Sequence, residues 1–145
     1  METDRKALIF NGFGILASLF ILLSGPLISH TVINFLVQIF GSLLIIWAVL
    51  TIKMTKTKQK DLPDGYFFLK HGPYEIIRHP IYAGYLLIMV SFVEIEFTFL
   101  RLIALLILFI VILLKTIREE DTLMREVQAY KEYKEKTKAI IPYLL

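Results

Sequence analysis

The chain has 145 residues, 57% hydrophobic and 20% charged, with a formal net charge of +3 and a mean hydropathy of +0.67. A soluble domain is nearer half apolar, and here the apolar residues are bunched into long runs, which points to a single membrane domain over 1–145. The absence of cysteine excludes disulfides, a Cys nucleophile, thiolate metal sites and palmitoylation.

Ala7 to Ile28 carries no charged residue, and neither does Val32 to Ile52, whose strongly polar side chains are Asn34 and Gln38. At about 1.5 Å per residue, each run is long enough to cross a hydrocarbon core of about 30 Å. The short Ser29-His30-Thr31 link makes them an antiparallel hairpin over 1–52. No small-residue cleavage site follows the first run, so it reads as a span and not as a signal peptide. Asn34 and Gln38 lie one turn apart and are expected to stitch helices together.

Ile81 to about Phe97 is a third, shorter span that ends in Glu94-Ile95-Glu96, and Leu100 to Leu114 is the fourth. Glu94 and Glu96 are expected to form a solvated outer turn. The predicted fold is all-α: a polytopic membrane protein with about four transmembrane helices in two hairpins. From Lys115 to Lys138 there is no Gly or Pro, and Leu123, Val127 and Tyr130 recur at helical spacing. This stretch is expected to continue as a cytoplasmic helix whose apolar face lies on the bilayer surface or closes over the central loop, and Pro142 ends any helix.

The sixteen Lys and Arg orient the spans. Two precede the first span, six lie between the second and third, seven follow the fourth, and Arg101 alone lies at the opposite end. By the positive-inside rule both termini and the central loop are cytoplasmic, and the protein is expected in the cell inner membrane. Basic residues that flank spans in this way argue for membrane lipids and against nucleic acid as partners. His30, His71 and His79 are too far apart in sequence to suggest a metal cluster.

The informative segment is His71-Gly72-Pro73-Tyr74-Glu75-Ile76-Ile77-Arg78-His79-Pro80-Ile81-Tyr82-Ala83-Gly84, at the entrance to the third span. Gly72-Pro73 marks a turn, and Pro80 suits the first turn of a helix, where its missing N–H is not needed. Arg78 and His79 then stand just before a helix N-terminus, a place that suits an anion. The plain alternative is that they anchor the helix at the lipid headgroups, with Tyr74 and Tyr82 in the aromatic belt.

Gly72-Pro73-Tyr74 followed by Arg78-His79-Pro80-Ile81-Tyr82-Ala83-Gly84 resembles the signature of the isoprenylcysteine carboxyl methyltransferase and phospholipid methyltransferase superfamily. Glu119-Glu120, Tyr130, Tyr133 and Pro142 resemble its second half, so the resemblance covers roughly 59–145. It implies a membrane-embedded methyltransferase that uses S-adenosyl-L-methionine without a Rossmann fold, with 53–145 as the cofactor-binding and catalytic region. By resemblance, the cofactor-binding positions are Gln59, Tyr66, Phe67, Phe68, Leu69, Tyr74, His79, Tyr82 and Glu119; Arg78, with His79, suits the cofactor's carboxylate as a cationic donor, and Pro80 belongs to the same motif. Lys115 falls where the family usually has a substrate-side Arg, so Lys115 and Arg78 are the catalytic candidates.

The implied acceptor is lipophilic or amphipathic. Val127-Gln128 and Thr137-Lys138-Ala139 depart from the family pattern and leave the acceptor open. Two rivals remain. One is a non-enzymatic four-span transporter or assembly partner; a transporter would be expected to carry a membrane-embedded carboxylate, which the first hairpin lacks. A reductase relative that shares the helical core would use a nicotinamide cofactor and be longer.

Overall fold

The computed structural model describes residues 2–28, 31–56 and 69–140, and among these there are five α-helices. They are α1 (Glu2–Leu23), α2 (Val32–Lys56), α3 (Pro80–Ile95), α4 (Phe99–Glu126) and α5 (Ala129–Lys136), with a single 3₁₀ turn at Gly72–Glu75. Among the described residues there is no strand, and the one isolated bridge pairs Ile77 with Lys138 in parallel.

Two boundaries differ from those expected, and a third agrees. α1 ends at Leu23, not Ile28, because Gly25-Pro26 interrupts the apolar run. A proline has no N–H to donate and disfavours helical backbone in the residue before it. The helix closes with Ser24 N–H on the Phe20 carbonyl at 3.0 Å. α3 begins at Pro80, as its first-turn position predicts, and Ala83 N–H meets the His79 carbonyl at 3.0 Å. The long helix expected over 115–138 is instead broken at Val127-Gln128. The break lets Val127, Tyr130 and Tyr133 pack into one buried cluster with Leu123 against it.

The chain divides into two units, one of 1–40 with 86–115 and one of 41–85 with 116–145. In the first, α1 buries Gly14, Ala17, Ser18 and Ile21, a stripe at i, i+3, i+4 and i+7. Small residues on such a stripe let helices approach closely where lipid supplies no hydrophobic drive. Ser18 donates to the Gly14 carbonyl at 2.7 Å. Gln38 donates to the Leu27 carbonyl at 3.1 Å, so its side chain ties α2 to the link after α1, whereas at Asn34 it is the backbone carbonyl that accepts from Ser91 at 3.3 Å, and the buried Asn34 Oδ1 has no partner among the described residues.

Arg101 does not face solvent. Its side chain is 1% exposed, and it donates to the carbonyls of Ile21 at 3.0 Å and Glu96 at 2.8 Å. The Ile21 carbonyl is among the last four of α1, which have no intrahelical donor, so the guanidinium caps that helix end.

In the second unit, α2 buries Gly41 and Ala48, seven residues apart. Gly84 of α3 lies directly on this stripe: a Cβ there would stand 2.6 Å from the Gly41 carbonyl oxygen and 2.8 Å from Ile45 Cγ1.

The apolar helices fit a bilayer. Val32–Thr55 and Phe99–Glu126 are long and apolar enough to cross one, while Leu8–Leu23 and Pro80–Ile95 are apolar but shorter. Only 11% and 28% of the apolar windows of the two long helices are buried, whereas core helices of a soluble protein would be mostly buried.

Gly84→Ala is expected to lower the thermal midpoint of detergent-solubilised protein, since overpacking costs about 1–3 kcal/mol. Gly12→Ala, where nothing lies within 4 Å of the added carbon, should leave it unchanged.

Candidate functional site: the loop before α3 and the end of α4

The backbone of the central loop is tied down before any side chain acts. Gly72 has φ 63, a left-handed conformation that glycine adopts without strain. The 3₁₀ turn follows, with Ile77 N–H on the Pro73 carbonyl at 3.1 Å. Residues 76–79 then run beside the segment after α5. Arg78 N–H donates to Lys138 O at 2.7 Å, His79 N–H to Ala139 O at 2.9 Å, and Lys138 N–H to Ile76 O at 3.3 Å. Two backbone donors that an anion before α3 would use are therefore already taken.

The side chain of Arg78 is also committed within the protein. It is 8% exposed and forks onto Glu120, with Nε to Oε1 at 2.7 Å and Nη2 to Oε2 at 3.3 Å. Its Nη1 donates to the carbonyls of Lys134, at 3.1 Å, and Thr137. Bidentate pairing of this kind is the strong form of a charge-assisted hydrogen bond. Glu120 is 6% exposed and also receives Lys134 Nζ at 3.0 Å and His79 Nε2 at 3.3 Å. It lies past the end of the apolar run at Leu114. Burial alone would raise its carboxyl, but hydrogen bonds from His79, Arg78 and Lys134 and the Arg78 charge bring it down to about 2.

Glu119, the neighbouring residue, has a different setting. Its side chain is 41% exposed, its Oε1 accepts from the Tyr82 hydroxyl at 2.9 Å, and its Oε2 lies 3.7 Å from His79 Nδ1. The His79 and Tyr82 rings stack with centroids 5.6 Å apart and planes 9° apart. Tyr133 donates to the Tyr74 carbonyl at 2.6 Å, which fastens α5 to the loop. Burial pushes the Tyr74 phenol up to about 12, and burial also raises Tyr130 and Tyr133. All three phenols stay neutral donors at physiological pH.

These groups surround a cavity of about 180 Å³ lined by Ile52, Leu69, Tyr74, Arg78, His79, Glu119, Leu123, Tyr130 and Tyr133. Of the residues singled out in the sequence, Leu69, Tyr74, Arg78, His79 and Glu119 come together here, and Tyr82 touches two of them. Pro80 is fully buried at the start of α3. Lys115 lies one turn before Glu119 on α4 and is not among the lining residues. Gln59, Tyr66, Phe67 and Phe68 lie outside the described residues. Sequence reasoning named Tyr130, Tyr133 and Leu123 without placing them among the site residues, and missed Glu120 and Lys134 as the partners of Arg78. The Tyr-x-x-Tyr spacing marked the first two; nothing local marked Lys134.

Arg78→Met leaves Glu120 buried without its main partner and should cost about 3–5 kcal/mol of stability. The Glu120 carboxyl is depressed from 4.5 to about 2. The parent should therefore hold this stability above pH 4.5 and lose it as pH falls toward 2. Thermal midpoints measured across that range should fall steeply for the parent and less for Arg78→Met.

A family model described as the isoprenylcysteine carboxyl methyltransferase (ICMT) family matches residues 32–126. The match begins earlier than the motifs do, at the start of α2, and includes Arg78-His79-Pro80 and Glu119-Glu120. It ends before Tyr130 and Tyr133. No curated protein and no solved structure matches the chain. Well over half of the chain lies within the match, and the chain belongs to the isoprenylcysteine carboxyl methyltransferase family.

Proposed function

We propose that the protein is an integral membrane methyltransferase that uses S-adenosyl-L-methionine and acts on a lipophilic or amphipathic acceptor. One observation carries this beyond family membership. Residues about forty positions apart, His79 with Tyr74 and Glu119 with Leu123, line one cavity together with two tyrosines from α5. The donor set suits such a cofactor. Glu119 is a carboxylate for an ammonium or a ribose hydroxyl, and the faces of Tyr74, Tyr130 and Tyr133 suit adenine or a sulfonium. Arg78 does not serve the cofactor's carboxylate, because its guanidinium is spent on Glu120 and two carbonyls. It acts as the organiser of the site.

When bound, the cofactor supplies the methyl group. The work of this chain is to orient the reactants in line and to exclude water. A carboxylate or thiolate acceptor needs no base, so a site with no dedicated one is sufficient. The acceptor keeps its tail in lipid, and Lys115, one turn nearer the apolar run than Glu119, holds an anionic head as a point charge. The proposed topology has four crossings, with both termini and the central loop on the cytoplasmic side of the cell inner membrane, where the water-soluble cofactor is available.

Calorimetry with S-adenosylhomocysteine on detergent-purified protein tests this. His79→Ala and Glu119→Ala should each weaken binding about tenfold or more, ~1.4 kcal/mol. Lys115→Met should stay within about threefold of the parent, ~0.65 kcal/mol, while losing methyl incorporation into a lipid-soluble acceptor. Binding of NADPH in place of S-adenosylhomocysteine would sink the proposal.

Topology is checked in intact cells. Glu75→Cys should resist an impermeant thiol reagent and Thr98→Cys should react; the reverse pattern overturns the orientation.

A further inference from the structure

Glu120 is not simply a counter-ion for Arg78. Its Oε1 takes Arg78 Nε at 2.7 Å and also lies 3.3 Å from His79 Nε2. An ionised carboxylate has no proton to give, so a hydrogen bond here requires the proton to sit on Nε2. The other ring nitrogen, Nδ1, stands 3.7 Å from Glu119 Oε2, beyond hydrogen-bond reach. The ring is stacked on Tyr82 within 9° of parallel, and the Tyr82 hydroxyl holds the other Glu119 oxygen at 2.9 Å. Glu120 is already compensated by Arg78 at 2.7 Å and Lys134 at 3.0 Å.

We propose that Glu120 is a positioning residue which, held by Arg78, keeps the His79 proton on Nε2 and leaves Nδ1 bare beside Glu119, so that the two form an acceptor pair for a ligand ammonium. Two acceptors 3.7 Å apart repel each other until a group with several N–H donors comes between them. An ammonium has three donors and a positive charge. A carboxylate has none and is turned away from this corner. The pair thereby sets which end of an amino-acid-bearing ligand enters here. The ligand half of this inference rests on the cofactor proposal, and the tautomer half does not.

The tautomer is read directly from ¹⁵N spectra of histidine-labelled protein in detergent at pH 8, which separate a protonated ring nitrogen from a bare one. The His79 signals are assigned by their loss in His79→Gln. The parent without ligand should show a protonated Nε2 and a bare Nδ1. A proton on Nδ1, alone or on both nitrogens, overturns the proposal, and this needs no variant of Glu120 to fold. In Glu120→Gln the tautomer preference should be lost and S-adenosylhomocysteine affinity should fall about tenfold; an unchanged tautomer and affinity would overturn the positioning role. An analogue of S-adenosylhomocysteine without its amino group should bind the parent at least tenfold more weakly, and equal binding overturns the ammonium assignment. If the parent binds neither compound, the cofactor proposal fails, while the ring spectra still decide what Glu120 does.

Discussion

Moving a carboxylate out of water costs several kcal/mol even after the surroundings relax, and that cost is recovered only when cations with good geometry surround it. Glu120 is such a group, 6% exposed near the end of a long helix. No residue close to it in sequence supplies the fork it needs. Arg78 comes from the loop before α3, forty-two positions away, and Lys134 comes from α5. His79 adds a third contact. One buried ion cluster therefore fixes three segments against one another, and the cavity exists between the residues so fixed. The backbone bonds of Arg78 and His79 to residues 138 and 139, and the Tyr133 hydroxyl on the Tyr74 carbonyl, follow from the same closure.

Consecutive glutamates on a helix point about 100° apart, since a turn takes 3.6 residues. In this chain that angle divides two tasks. Glu120 turns inward to the cations and is almost inaccessible, whereas Glu119 keeps 41% of its side chain exposed and reaches the cavity. The division also accounts for the partner of the cationic residue in the motif. Arg78 has five N–H donors in a rigid fork, suited to one carboxylate and two carbonyls together, a task that a lysine cannot perform. Arg78 lines the cavity beside the imidazole and Glu119, with its guanidinium held by Glu120 and two carbonyls.

The membrane-facing part follows different physics. Exposed apolar side chains such as Phe13, Leu16, Phe35, Phe40 and Leu43 are unremarkable where the solvent is hydrocarbon. Helices there gain little from burying them, so contact depends on close approach at small residues. Gly14, Ala17 and Ser18 on α1, and Gly41 and Ala48 on α2, provide it. Arg101 is the exception within that unit, a buried charge that satisfies the carbonyl end of α1.

Much of this was legible in the residues alone. The apolar runs marked the helices, because helix formation and lipid solubility depend on local composition. Pro80 marked the first residue of α3, because a ring without an N–H is tolerated only there. The two motif halves, His79 with Tyr82 and Glu119 with its neighbours, marked the groups that meet at the cavity. One local signal sufficed in principle but was outweighed by hydropathy, Gly25-Pro26, which ends α1; the period of Leu123, Val127 and Tyr130 also fits a continuous helix and so could not reveal the break after Glu126. The partner of Arg78 could not be read at all. An arginine before a helix N-terminus looks equally suited to a bound anion, a lipid headgroup or a protein carboxylate. The choice depends on whether a buried glutamate forty-two positions on, and carbonyls fifty-six and fifty-nine positions on, arrive at the same point. Only the tertiary structure brings them there, because contacts at such separations depend on how the helices between them pack and not on any local preference of the chain.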